Sequence, residues 1–206
     1  MTAKLVPTIK TIFTQKEFIK ALIGAWKNIY TVLPTKEQIG VIFAQWSIET
    51  GQGKFCWNNN IGNIKYIPDK SPEDDNLEYM MLKNVSEIIK GEKVIFQPPS
   101  PQTWFRSFAS LEDGTTFHLN FLKNNRYAKV WTAVEAGNPE DFAHLLKEAK
   151  YYTAPESLYV RNMHIYFDKF IKDTIFDESL DEFKKENNKS VWTSITNIFK
   201  KTFGTT

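Results

Sequence analysis

The stretch "SIETGQGKFCWNNNIGNIK", Ser47–Lys65, joins the end of a helical pattern to a turn-rich segment. At about 100° per residue, Glu49 lies on the same helix face as Ile42 and Trp46, so its carboxylate continues an apolar stripe. Gly51 follows at the position where glycine commonly ends a helix. The stretch therefore predicts a helix that ends near Gly51 and carries a half-buried carboxylate in its last turn.

Helix signals lie on both sides of this stretch. Thr14 with Glu17, and Thr35 with Gln38, form capping-box pairs at the start of two amphipathic helices, the second of which carries Glu49. Further helices are predicted for "SLEDGTTFHLNFLKN", "RYAKVWTAVEAG", "NPEDFAHLLKEAK" and "ESLYVRNMHIYFDKFIKD". The chain is therefore predicted to be mainly α.

Residues 58–109 follow a different pattern, because helical periodicity fades there and prolines become frequent. The segment "VSEIIKGEKVIF" has two β-rich runs on either side of Lys90 and Gly91, which predicts a hairpin. Before it, "PDKSPEDDNLEY" predicts a solvated acidic loop. Together these patterns predict an α+β fold, with a helical domain and a small β-hairpin lobe.

Composition narrows the function classes. The chain has 206 residues, with 26 basic and 24 acidic side chains spread along it, so one ordinary domain and no nucleic-acid partner are expected. Its single cysteine excludes an internal disulfide. The three histidines lie far apart without metal-ligand spacing, so we expect neither a metal nor a cofactor.

Glu49 has a position suited to proton donation. Partial burial and the negative end of the helix dipole both disfavour its ionised form, so both are expected to raise its pKa. A carboxylic acid that stays protonated near neutral pH can protonate the leaving oxygen when a glycosidic bond breaks. The alternative from spacing alone is a glutamate that pairs with a lysine or caps the helix.

The residues after the helix are consistent with sugar binding. Asn60 and Asn63, with Asn58 and Asn59, supply amide groups that suit sugar hydroxyl and acetamido groups, and Trp57 offers a stacking face. The alternative is a cluster of asparagines that simply forms turns.

Several short motifs in order give this chain a family resemblance. "AQWSIETGQGKFCWNNNIGNIK" resembles the E-S/T-G-x-G helix end and the following N-L-F-G-I-K segment of the glucosaminidase family of peptidoglycan hydrolases, glycoside hydrolase family 73. "SEIIKGEKVIFQPPSPQTWFRSFAS" is similar to that family's T-E-Y-x-x-G-x…F-R-x-Y-x-S region, "RYAKV" to its R-Y motif, and "KYYTAPESLY" to its Y-A-T-D-P-x-Y motif. The resemblance covers Ala44 to about Tyr159 and implies a lysozyme-like fold.

The resemblance also implies roles for individual residues. Glu49 matches the general acid, Glu87 the second carboxylate of the hairpin, and Tyr151 the first tyrosine of the last motif, which lines the cleft. The chain departs from that motif with Tyr152 where alanine is usual and Ala154 where aspartate is usual. An insertion, "QPPSPQTW", leaves Glu92 and Glu78 as competitors for the role of Glu87.

The implied activity is cleavage of β-1,4 glycosidic bonds in the glycan strands of bacterial peptidoglycan. A lytic transglycosylase or a muramidase on the same fold is the alternative within enzymes, and a transglycosylase would leave Glu87 dispensable. A thiol peptidase built on Cys56 and a non-catalytic peptidoglycan-binding or virion structural protein are alternatives from other classes.

The C-terminal residues predict a separate element. We expect a glucosaminidase domain over 1–176, and a charged linker with an amphipathic helix over 177–206 that docks on a virion protein or a membrane surface; a helix packed on the domain is the alternative. The first ten residues lack the apolar run of a secretory signal. The expectation is a bacteriophage protein made in the host cytoplasm that reaches the cell wall after release or as a virion component.

Overall fold

The computed structural model describes residues 3–68, 77–89 and 91–203, with the side chains of Ile88, Asn125 and 190–203 left outside the description. The helices are α1 (Gln15–Tyr30), α2 (Lys36–Thr50), α3 (Leu111–Lys123), α4 (Ala128–Glu135), α5 (Pro139–Glu148), α6 (Glu156–Lys172) and α7 (Ile175–Phe203). The strands are β1 (Lys4–Leu5), β2 (Glu78–Met81), β3 (Val85–Ile89), β4 (Glu92–Phe96) and β5 (Trp104–Ser107). The predicted mainly α, lysozyme-like α+β fold with a small β lobe is confirmed.

The capping hydrogen bonds confirm the predicted starts of α1, α2 and α5. Thr14 and Glu17 form a complete capping box at the start of α1, and Thr35 and Gln38 form one at α2. Asn138 caps α5 by accepting from two main-chain N–H groups of its first turn. These local bonds satisfy donors that the helices themselves leave unpaired.

Helix α2 is the centre of the hydrophobic core. Ten of its fifteen residues are buried, and Ile39, Ile42 and Trp46 are at most 1% exposed. It packs mainly against α6, while α1 packs against α3 and α7. A helix that is buried on nearly every side gives the side chains of its last turn a fixed position.

The β lobe contains two separate sheets. Strands β3 and β4 form the predicted hairpin, which pairs Val85 with Phe96 and Ile89 with Glu92. A second sheet has the order β1-β2-β5, with β1 parallel to β2, and the sequence did not predict it. Most of the predicted acidic loop, residues 69–76, lies outside the described residues.

The C-terminal helix begins against the body of the domain. Phe176 is 3% exposed in the core, and the ring of Phe183 lies beside Gly24 of α1. Lys16 forms ion pairs with Glu178 at 3.1 Å and with Glu182 at 3.0 Å. The charged residues predicted as a linker are therefore helical and packed on α1.

The predicted apolar face of the tail, from Val191 to Phe203, lies outside the described side chains. The division into a domain over 1–176 and a tail over 177–206 stays a prediction. Among the described residues, no helix combines the length and the apolar character needed to span a membrane.

Candidate active site

Glu49 lies in the last turn of α2, where the sequence predicts it. Gly51 ends the helix in the left-handed conformation, with a φ of 57°, so the chain turns away directly after the acid. The side-chain amide of Asn63 donates to the main-chain carbonyl of Glu49 at 2.6 Å. This bond satisfies a carbonyl that the end of the helix leaves unpaired. Asn63 therefore contacts the acid residue, and its predicted role in sugar binding stays a prediction.

The carboxyl of Glu49 is partly buried and close to neutral at physiological pH. Burial disfavours its ionised form and raises its pKa from 4.5 to about 7. The hydroxyl of Tyr159, on α6, donates to Oε1 of Glu49 at 3.1 Å and acts in the opposite direction, by stabilising the carboxylate. Burial outweighs the hydrogen bond, so the pKa stays well above its ordinary value and the neutral acid is present near pH 7.

Tyr151 approaches the same carboxyl from the segment before α6. Its hydroxyl donates to the main-chain carbonyl of Gly62 at 3.1 Å, and its ring contacts that of Tyr127 edge-on at 5.7 Å. Burial and the negative charge of Glu49 raise the pKa of Tyr151 well above its ordinary value. The structure thus brings together Glu49, Asn63 and Tyr151, three residues that the sequence singled out, and adds Tyr159, to which the sequence assigned no role.

A buried polar pair lies behind these residues. His118 of α3 is within hydrogen-bonding distance of Gln45 of α2, with Nε2 3.0 Å from Oε1, and both side chains are at most 1% exposed. Burial lowers the pKa of His118 to about 4, so the imidazole is neutral. A Cβ on Gly62 would lie 2.4 Å from this ring, so only glycine fits there. Sequence reasoning missed this pair, because 73 residues separate its members.

Asn60 has a different role from the predicted one. Its Nδ2 donates to the carbonyls of Ile64 and Arg106 at 2.9 Å, and its Oδ1 accepts from the main-chain N–H of Ile64 at 2.8 Å. The side chain is 1% exposed, so no polar group remains for a sugar. Asn60 therefore holds the loop together, and its predicted role in sugar binding is wrong.

The neighbouring asparagines behave in the same way. Asn58 donates to the carbonyl of Pro7 at 2.9 Å, and Asn59 donates to that of Phe108 at 2.9 Å. Trp57 is partly buried and pairs through its main chain with Lys10 of the N-terminal segment. The turn-forming interpretation therefore accounts for the contacts of Asn58 and Asn59, and a stacking role for Trp57 stays a prediction.

Glu87 lies on β3 and faces an open cleft of about 320 Å³. Its carboxylate forms an ion pair with Lys65 at 3.0 Å, and both side chains are about one-third exposed (33% for Lys65, 39% for Glu87). Lys65 is only two residues after Asn63, which contacts Glu49, so one short segment joins the surroundings of the two carboxylates. The position of Glu87 is thus compatible with its predicted role.

Its competitors have less suitable surroundings. Glu78 is on β2 and forms an ion pair with Lys4 at 3.2 Å. Glu92 is exposed at the first position of β4, next to the hairpin turn. Neither lines the cleft that contains Glu87.

Cys56 does not have the surroundings of a nucleophile. It is completely buried, and burial raises the pKa of its thiol to about 11, so the thiolate is rare at neutral pH. Within the described part of the chain, no three His, Cys, Asp or Glu residues come together as a metal site.

Comparison with known proteins agrees with the resemblance. Residues 36–172 match the family model Glucosaminidase, described as mannosyl-glycoprotein endo-beta-N-acetylglucosaminidase, and this match covers more than half of the chain. The chain belongs to the glucosaminidase family. It is therefore a glycoside hydrolase by family, and the matched region contains Glu49, Glu87 and Tyr151.

Individual relatives of this glucosaminidase share only a third or less of its residues where they align. It is 32% identical over 123 residues to the peptidoglycan hydrolase FlgJ of Vibrio cholerae serotype O1, covering 56% of this chain and 33% of that protein. The chain thus spans about a third of the length of the curated relative that it matches. A crystal structure of a peptidoglycan hydrolase mutant from Sphingomonas sp. A1 shares the fold, with a TM-score of 0.51, 20% identity, and coverage of 81% of this chain and 99% of that one.

Proposed function

We propose that this glucosaminidase hydrolyses β-1,4 glycosidic bonds in the glycan strands of bacterial peptidoglycan, with Glu49 as the general acid. The observation that carries the proposal is the partly buried carboxyl at the end of α2, with a pKa of about 7. A family whose members cleave N-acetylglucosaminides needs such a group, because the leaving oxygen must receive a proton. The relative from Vibrio cholerae is named a peptidoglycan hydrolase, which directs the proposal to that substrate.

In the proposed reaction, the protonated carboxyl of Glu49 gives its proton to the glycosidic oxygen as the bond to the anomeric carbon breaks. The bonding electrons stay with the leaving oxygen, and positive charge develops on the sugar that remains. The carboxylate of Glu87 then stabilises that charge or deprotonates the attacking water. The oxygen of water bonds to the anomeric carbon, and the proton that water loses passes to Glu87 or to solvent. Proton exchange with solvent then restores the carboxylate of Glu87 and the acid form of Glu49.

An ion pair with Lys65 orients the carboxylate of Glu87. The ammonium of Lys65 contacts the carboxylate of Glu87 at 3.0 Å, and Lys65 is two residues after Asn63, which contacts Glu49. Glycosidases divide the reaction between two carboxyl groups, one of which acts as the acid and the other as the base or stabiliser. Trp57, Asn63 and Tyr151 are the proposed contacts to the bound glycan.

The decisive test is digestion of purified peptidoglycan by the wild-type protein and by Glu49→Gln, with mass spectrometry of the reduced fragments. Fragments with reducible N-acetylglucosamine ends that are absent with the variant support the proposal. Fragments with N-acetylmuramic acid ends would instead indicate a muramidase, and fragments with anhydro ends would indicate a transglycosylase. A mannosyl-glycoprotein substrate should be assayed in parallel, because the family description names that class.

Binding without any fragments would favour the non-catalytic alternative. In that case, Glu49→Gln would bind peptidoglycan as well as the wild type, and no fragments would appear from either protein. Glu148→Gln is a matched control, because Glu148 is an exposed glutamate in the last turn of α5. It should retain full activity.

We propose further that the activity serves bacteriophage lysis or entry, and that the end of α7 contacts a virion protein or a membrane surface. The support is the apolar spacing of Val191, Ile195, Ile198 and Phe199 in the sequence, followed by Lys200 and Lys201. A chain that ends at Lys189 should keep its activity on purified wall while it loses binding to anionic vesicles or to virions. Equal binding by both chains would contradict this part of the proposal.

A further inference from the structure

Tyr159 is the side chain that contacts the reacting carboxyl most directly. Its hydroxyl donates to Oε1 of Glu49 at 3.1 Å, and its ring is 4% exposed. The family pattern places a tyrosine two residues after the proline, whereas Tyr159 comes four residues after Pro155. This contact is therefore not explained by matching the chain to the family motif.

Tyr152 fixes the ring of Tyr159. The two rings are stacked, with centroids 3.9 Å apart and planes that differ by 6°. The hydroxyl of Tyr152 donates to the carbonyl of Ala143 on α5 at 3.1 Å, and the ammonium of Lys147 lies 5.0 Å from its ring centroid. Tyr152 stands where the family usually has alanine, so the stacked pair combines two departures of this chain from the pattern.

We propose that Tyr159 is a positioning residue that fixes the rotamer of Glu49 and assigns the transferred proton to Oε2, and that Tyr152 holds Tyr159 in place for this purpose. The inference deepens the proposed function and rests on it. Because Oε1 accepts the tyrosine hydrogen bond, Oε2 is the oxygen that carries the acid proton. The structure thereby assigns a separate task to each oxygen of one carboxyl group.

The same hydrogen bond also assists proton release. As the proton leaves Oε2 for the glycosidic oxygen, negative charge develops on the carboxyl group, and a hydrogen bond to a charged acceptor is stronger than one to a neutral acceptor. Tyr159 therefore stabilises the product of proton transfer more than the reactant. The other titratable side chain that faces Glu49 among the described residues is Tyr151, which stays neutral because its pKa is raised well above its ordinary value.

The test compares Tyr159→Phe, Tyr152→Ala and the control Tyr166→Phe with the wild type. Tyr159→Phe keeps the stacked ring and removes only the hydroxyl, so we expect kcat to fall by about 10²-fold with KM nearly unchanged, because the acid is misplaced. We expect Tyr152→Ala to give a smaller fall, since it removes the stacking partner. Tyr166→Phe removes a hydroxyl from another tyrosine of α6 that has no role in the proposed site, so it should retain full activity.

The pH profile distinguishes positioning from a general structural effect. A general acid is active below its pKa, and the hydrogen bond of Tyr159 lowers the pKa of Glu49. Its removal should move the alkaline limb of the kcat profile to higher pH in Tyr159→Phe, while the control Tyr166→Phe leaves that limb unchanged. An unchanged limb and an unchanged kcat in Tyr159→Phe would overturn the inference.

A measurement without substrate separates this inference from the proposed function. Carbon NMR of the labelled Glu49 carboxyl gives its pKa directly in each variant, and circular dichroism checks that the variants fold. A raised pKa in Tyr159→Phe supports the contact even if peptidoglycan is not the substrate. An unchanged pKa refutes it even if the wild type digests peptidoglycan.

Discussion

Replacement of Glu49 by glutamine should stabilise this protein while it abolishes the activity. The folded pKa of Glu49 is about 7 and its ordinary value is 4.5, so between these values the native state binds more protons than the unfolded state. Stability therefore falls as pH rises through this window and is constant above it. The shift corresponds to a cost of about 3 kcal/mol at pH 8, at about 1.4 kcal/mol for each pH unit.

Glutamine has the same shape and no charge, so the variant avoids this cost. Its Oε1 still accepts the hydrogen bond of Tyr159, and the buried site loses only its ionisable group. For a chain of this size, a gain of about 3 kcal/mol corresponds to a rise in Tm of about 6–12 °C. The gain should be present at pH 8 and absent at pH 4, where Glu49 is protonated in both states.

Thermal and urea unfolding of the two proteins at pH 4 and pH 8 measure this difference. Glu148→Gln is the control, because the same chemical change in an exposed last turn should alter stability by less than about 0.5 kcal/mol at either pH. If Glu49→Gln is less stable than the wild type at pH 8, or if the difference is the same at both pH values, the assignment of a buried, protonated acid is refuted.

Three further perturbations test other parts of the structure. Glu87→Gln should lower kcat on peptidoglycan by about 10²-fold or more, whereas Glu92→Gln on the same hairpin should leave kcat unchanged. Equal activity of the two variants would show that Glu87 has no part in the mechanism. Gly62→Ala forces a methyl group against a buried imidazole and should cost about 1–3 kcal/mol in urea unfolding, while Gly24→Ala, inside α1, should be neutral or slightly stabilising. Phe176→Ala should lower the free energy of unfolding by about 3–5 kcal/mol, measured by thermal unfolding, because the start of α7 belongs to the core. A loss below about 1 kcal/mol would mean that α7 is a detached appendage.

Features that depend on neighbouring residues were predictable from the sequence. Each capping box, at Thr14 and at Thr35, and the glycine that ends α2 form bonds that span at most four residues, so the local residue types fix the geometry. The position of Glu49 in the last turn of a buried helix follows from the same local pattern. Its raised pKa follows in turn, because burial is the main cause.

Features that join distant segments were not predictable in this way. Tyr159 reaches Glu49 across 110 residues, and no local pattern indicates which tyrosine of α6 points at the acid. The parallel pairing of β1 with β2 joins residues 74 apart. Asn60 shows another limit, because an asparagine amide suits a sugar and a loop carbonyl equally well, and only the folded loop decides between them.

The separation of the hairpin from the second sheet has a consequence for how specificity can change. Glu49 is fixed in the central helix, whereas within the part of the chain that the structure describes β3 and β4 pair only with each other, and Lys65 joins β3 to the preceding segment. The side chains of Asn84 and Gln97 close the base of this hairpin at 2.5 Å. A hairpin of another length or sequence that keeps Glu87 is therefore expected to leave the core unchanged. Evolution and protein engineering could thus alter this hairpin as a module, while the carboxyl that we propose as the proton donor stays as it is.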